Sequence, residues 1–111
     1  MRILSSEHIE KDSRRELRQL FTTRIEQVNF YEAHHGAVLG NHFHKTTKEY
    51  FFITKGTFMV RIGDNSFPVN PGSLFRVDPG ERHSLEALTN KASFLTFLSE
   101  PYDPNRPDLH R

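Results

Sequence analysis

Four side chains of this 111-residue sequence could share one piece of chemistry: His42, His44, Glu49 and His83. His42 and His44 lie two residues apart, so on an extended strand both imidazoles point to the same face. Glu49 follows a short turn later, and His83 follows the turn Asp78-Pro79-Gly80. Three nitrogens and one oxygen can converge on one divalent transition metal, and this mixed donor set suits Zn, Fe, Ni, Mn or Cu. The carboxylate favours the ion, because its charge offsets that of a divalent cation. The competing use of the same imidazoles is proton transfer beside a carbonyl, without metal.

The glycines around these residues extend the pattern. Gly36, His42, His44, Glu49 and Gly56 spell Gly-x5-His-x-His-x4-Glu-x6-Gly, and Gly72, Gly80 and His83 form a second cluster. In these residues the chain resembles the cupins, whose first motif is Gly-x5-His-x-His-x3–4-Glu-x6-Gly and whose second is Gly-x5-Pro-x-Gly-x2-His-x3-Asn. Asp78 stands where the second motif has its first Pro, and Ala87 replaces its Asn; Pro79 restores a Pro-Gly turn. The resemblance spans about residues 28 to 98. It implies an all-β fold, the cupin-type double-stranded β-helix or jelly-roll barrel, with a metal on His42, His44, Glu49 and His83. A homodimer is expected because outward Tyr50, Phe52 and Met59 need cover from another sheet or another subunit, and the resemblance also implies one formed by sheet packing. Some cupins instead keep the histidines as acid–base groups and hold no metal.

A narrower resemblance concerns Asp12-Ser13-Arg14-Arg15-Glu16-Leu17 and Gly40-Asn41-His42-Phe43-His44-Lys45. These runs are similar to deoxysugar-nucleotide ketoisomerases and related capsule-sugar cupins, which show an Asp-x-Arg-Gly opening and a Gly-x-His-x-His-Lys segment. Arg15 stands where that group has Gly, and Glu49 departs from a group that works by histidine chemistry without metal.

The elements that must position these residues read as strands. Glu49 to Thr54 is β-branched and aromatic; with Glu49 inward, Phe51 and Ile53 point inward while Tyr50 and Phe52 point outward. Thr57 to Ile62 alternates Phe58, Val60 and Ile62 against Met59 and Arg61, and Gly63-Asp64-Asn65 forms a hairpin turn before Phe67 and Val69. Leu74 to Val77, the alternation His83, Leu85, Ala87, and the run Ala92 to Leu98 supply three more. Nearer the N-terminus, Val28 and Phe30 share one face and Gln27, Asn29 and Tyr31 the other, while a further strand is expected near Leu17–Phe21. Short strands separated by turns, with no helix between them, indicate an antiparallel sandwich or barrel. The expected organisation is one domain: an N-terminal arm over residues 1–24, the barrel over 25–98 and a Pro-rich tail over 99–111, extended along the surface or disordered.

Composition narrows the partners. A net charge of +1, with Arg14-Arg15 flanked by Asp12 and Glu16, argues against a nucleic-acid surface. Without cysteine the chain has neither disulfide nor thiolate site. No segment of Met1 to Leu20 has signal-peptide or membrane-spanning character, so no membrane partner and a cytoplasmic location are expected.

The leading expectation is therefore a metal-binding cupin taking a small polar molecule, such as a hydroxy- or oxo-acid or a sugar derivative. Its competitors are a metal-independent nucleotide-sugar isomerase or epimerase and a non-enzymatic sensing module. The ligand is expected at the barrel mouth, above a dry end lined by Phe51, Ile53, Phe58 and Val60, with Arg76, Arg82 or His34 holding its remaining charge. Strand parity leaves open whether Arg76 or Phe75 faces the pocket.

Overall fold

The computed structural model describes residues 2–4 and 8–111. Residues 1 and 5–7 of the expected arm lie outside the described residues. Along the chain the strands are β1 (Arg2–Ile3), β2 (His8–Lys11), β3 (Glu16–Gln19), β4 (Gln27–Ala33), β5 (Val38–His42) and β6 (Glu49–Lys55). They continue as β7 (Phe58–Ile62), β8 (Asn65–Val69), β9 (Leu74–Val77), β10 (His83–Ala87) and β11 (Ala92–Leu98). One antiparallel sheet runs β1-β9-β6-β11-β4 and faces a second, β5-β10-β7-β8, in a jelly-roll barrel; β2 and β3 form a separate hairpin. Among the described residues no helix is long and apolar enough to cross a membrane.

Alternation within the strands builds the core. Phe51 and Ile53 of β6, Phe75 and Val77 of β9 and Phe94 of β11 meet Phe58 and Val60 of β7 and Leu85 of β10 in one buried cluster. Phe51 stacks on Phe75 at 4.8 Å between centroids, and Phe58 meets Phe94 edge-on at 5.1 Å, geometries that suit ring quadrupoles. Gly56 ends β6 in the left-handed region at φ 73, where a Cβ would collide with Thr89 and Ala92.

Two expectations need revision at the outer face. The strand expected near Leu17–Phe21 is Glu16–Gln19, and Phe21 leaves it to stack on Tyr50 at 4.6 Å. Tyr50 does point outward, but its own chain covers it and leaves it 6% exposed, so it calls for no second subunit. Phe52 and Met59 are half-buried; the open apolar residues lie instead at the edges of the five-stranded sheet, Val28 and Phe30 on β4, 53% and 61% exposed, and Ile3 on β1.

The Pro-rich tail turns back onto the barrel. The Asp108 carboxylate accepts the backbone N–H groups of Lys45, Thr46 and Thr47 at 2.8–2.9 Å and the hydroxyls of Thr46 and Thr47. Phe43 and His110 exchange a pair of 2.9 Å backbone hydrogen bonds. The tail thus clamps the segment that carries His44.

Candidate metal centre and ligand cavity

Backbone close approach sets the site. Gly40 at φ 88 and Asn41 at φ 61 bend the end of β5, and a Cβ on Gly40 would stand 3.1 Å from the His83 carbonyl oxygen. That contact places His42 opposite His83 in the β5–β10 register, with the register shift falling just after His83. His44 lies beyond the end of β5, in the turn that Asp108 holds. Glu49 opens β6 on the facing sheet. One ligand atom from each of His42, His44, Glu49 and His83 falls within 4.8 Å of all the others.

The electrostatics prepare these groups unequally. Burial, reinforced by the positive fields of His83 and His44, lowers His42 to a pKa of about 4, so its imidazole is neutral near pH 7 and offers a lone pair. Burial also works against charge on His44, but Glu49 and the Asp108 carbonyl outweigh it and raise that pKa. The Nδ1–H of His44 donates to the Asp108 carbonyl, which turns Nε2 inward to Glu49 Oε1 at 3.2 Å. For Glu49 burial would raise the pKa, yet His44 and His83 hold it at about 2. His83 Nδ1–H donates to the Glu81 carbonyl at 3.0 Å, fixing the ring with Nε2 inward. That Nε2 is buried and stands 3.3 Å from Glu49 Oε1 as an ion-pair partner, outside the alignment of a well-formed hydrogen bond.

This donor set fits a divalent transition metal. Two imidazoles are pinned by backbone carbonyls at Nδ1, as metal-ligating histidines usually are, which aims the Nε2 of both His44 and His83 at the Glu49 carboxylate.

Beside the cluster opens a cavity of about 280 Å³. Gln27, Asn29 and Tyr31 of β4 line one wall, and Tyr102 and Leu109 bring the tail to its rim. An inner extension of about 50 Å³ reaches Phe51, Leu85, Phe94 and Thr96. Ile53, Phe58 and Val60, expected at its dry end, belong to the solid core beyond it. Along β4 the side chains form a ladder: the Tyr102 backbone N–H donates to Gln27, and Gln27 Nε2 donates to Asn29 Oδ1 at 3.1 Å. Burial first, then the Glu49 charge, raises the Tyr31 phenol, against a hydrogen bond with Asn29.

The three groups expected to hold the ligand's charge lie elsewhere. Arg76 points to the outer face, bonded to Asp78 at 2.6 Å, because Phe75 takes the inward parity. Arg82 lies outside, donating to the Asn41 carbonyl at 3.1 Å over the Phe43 ring. His34 sits in the β4–β5 turn, whose Gly36 N–H bonds the Ala87 carbonyl at the opposite end of β10 from His83. Exposed His35 occupies the same turn. Sequence reasoning had not assigned Gln27, Asn29, Thr96 and Asp108 to the site. The alternation of Gln27 and Asn29 against Val28 and Phe30 was a usable signal; Asp108 had none, because its partners lie 61 to 64 residues away.

Residues 29–98 match the family described as the cupin domain. No curated protein sequence matches the chain. Among solved structures, the capsular polysaccharide assembling protein CapF from Staphylococcus aureus is similar over 93% of this chain and 33% of its own, at 23% identity and a TM-score of 0.73. The chain thus spans about a third of the length of CapF. QdtA, a sugar 3,4-ketoisomerase from Thermoanaerobacterium thermosaccharolyticum solved with TDP, superposes with a TM-score of 0.79 at 18% identity, covering 98% of this chain and 85% of its own. The RmlC epimerase of Mycobacterium tuberculosis gives a TM-score of 0.75 at 18% identity, covering 96% and 71%. At such identities these likenesses speak for the fold. With the motif residues gathered at one end of a jelly-roll barrel and the family match covering most of the chain, this protein belongs to the cupin family.

Proposed function

We propose that this protein is a metal-binding cupin that binds or transforms a small polar molecule in the cavity beside His42, His44, Glu49 and His83. The observation that carries the reading is the convergence of four donor atoms within 4.8 Å, one of them the buried Nε2 of His83, which faces Glu49 without a well-aligned hydrogen bond. His42, His44 and His83 would supply neutral nitrogens and Glu49 the compensating charge. When bound, the ion would act as a Lewis acid toward a ligand oxygen, or as a redox centre if it is iron. The chain's own groups do the rest. The β4 ladder orients the ligand through hydrogen bonds, Phe51, Leu85 and Phe94 keep water from the deep end, and Leu109 and Tyr102 narrow the mouth.

A second reading, metal-independent isomerisation or epimerisation of a nucleotide sugar, draws on the fold shared with QdtA and RmlC and on His42, whose neutral ring could accept a proton. Elemental analysis of protein purified without added metal, followed by an oxygen-uptake screen, separates the two. Stoichiometric metal supports the first reading, and metal-free protein that isomerises a nucleotide sugar supports the second. We further propose a homodimer, with Val28 and Phe30 on the outer face of β4 as its contact.

A further inference from the structure

We propose that the cavity's ligand carries no charge beyond the end that meets the His–Glu cluster: a small polyhydroxylated carbonyl compound or hydroxy acid, free of phosphate and of nucleotide. This inference rests on the metal-binding reading and deepens it.

Charge is the first argument. Among the described residues no lysine or arginine side chain lines either part of the cavity. Apart from the cluster, the charged groups of the lining are Glu100 and Asp108, both carboxylates. Exposed Arg111 reaches His42 only through its field, from outside the lining. Phosphate recognition calls for cationic forks or ammonium groups, and the lining offers a phosphate neither. A divalent ion against the single Glu49 carboxylate leaves a net positive charge, which accommodates one carboxylate at the chelating end.

What the walls offer instead is neutral. Asn29 of β4 and Thr96 of β11 are opposite partners in the sheet, so both side chains face inward together. Thr96 is fully buried, and its Oγ1 has no hydrogen-bond partner although it lines the inner cavity beside His42, Glu49 and His83. Gln27 and Asn29 each have an amide hydrogen to spare beyond the ladder, and Tyr31 adds a phenol kept protonated by its raised pKa. Amides, phenol and an orphaned hydroxyl on one wall match a row of hydroxyl and carbonyl oxygens. The volume agrees: about 280 Å³ is just below the roughly 300–1,000 Å³ of drug-sized pockets.

Calorimetric titration of the full chain with matched probes tests the inference. The probes are fructose and gluconate, the terminal phosphate ester of each, and TDP-glucose, against metal-loaded and metal-free protein. At least one unphosphorylated probe should bind, with its phosphate ester at least about tenfold weaker. Asn29→Lys, which adds the missing cation, should narrow or reverse that preference, and Thr96→Val should weaken the unphosphorylated probe while leaving metal content unchanged. Equal or tighter binding of a phosphate ester or of TDP-glucose by the wild type overturns the inference, as does a panel in which no unphosphorylated probe binds. Failure of the metal reading is visible separately as absent metal, because the titration of metal-free protein reads the charge preference by itself.

Discussion

At the residue scale the site is a set of groups whose protonation the fold has already arranged. Glu49 has a folded pKa of about 2 against an ordinary 4.5, so its contribution to stability is present above 4.5 and is lost as pH falls toward 2. His42, lowered from 6.5 to about 4, contributes stability that is complete above 6.5 and is lost as pH falls toward 4. His44 runs the other way: with its pKa raised, its contribution is present below 6.5 and lost as pH rises through the folded value. Denaturant unfolding of metal-free protein should therefore show stability declining from about pH 6.5 to 4 through His42 and further below 4.5 through Glu49. Glu49→Gln should flatten the lower part of that decline; an unchanged slope would contradict the assignment. In the core, Phe58 is fully buried, and Phe58→Ala should destabilise the protein by about 3–5 kcal/mol in the same assay.

At the scale of elements, the tail is the part of the site that the sequence concealed. Asp108 draws the turn at 45–47 against residues 101–110, and its carbonyl orients His44. Asp108→Ala should cost about 2 kcal/mol, since several hydrogen bonds to one carboxylate are lost together, and should weaken metal affinity by about tenfold by loosening His44. Unfolding curves and competition with a chelator measure the two effects. Strand β7 was the most legible because it buries one face: Phe58, Val60 and Ile62 against Met59 and Arg61 could be read in only one way. The β2–β3 hairpin was not legible, since Ile9 and Leu17 are both largely exposed and leave no one-sided pattern; only β3 was anticipated, near Leu17. His42, His44, Glu49 and His83 came together as their spacing implied. Arg76, Arg82 and His34 did not join them, because strand parity, a side-chain contact and a turn at the far end decide their places, and spacing in sequence encodes none of these.

At the scale of the whole molecule, the barrel leaves an edge strand with two open apolar residues, Val28 and Phe30, on its outer face. Such an edge invites cover by a second copy. Light scattering at micromolar concentration should give twice the 13.0 kDa chain mass, and Phe30→Asp should return it to that of the monomer. A wild-type monomer would contradict the dimer while leaving the site untouched. Elemental analysis reads occupancy of the His–Glu cluster most directly. Wild-type protein purified without added metal, then exposed to gentle chelation, should retain about one equivalent of a transition metal. The His42→Ala/His44→Ala double variant, which loses two of the four donors that lie within 4.8 Å, should retain almost none under the same treatment. Equal metal content in the two proteins, or none in the wild type, would contradict the account.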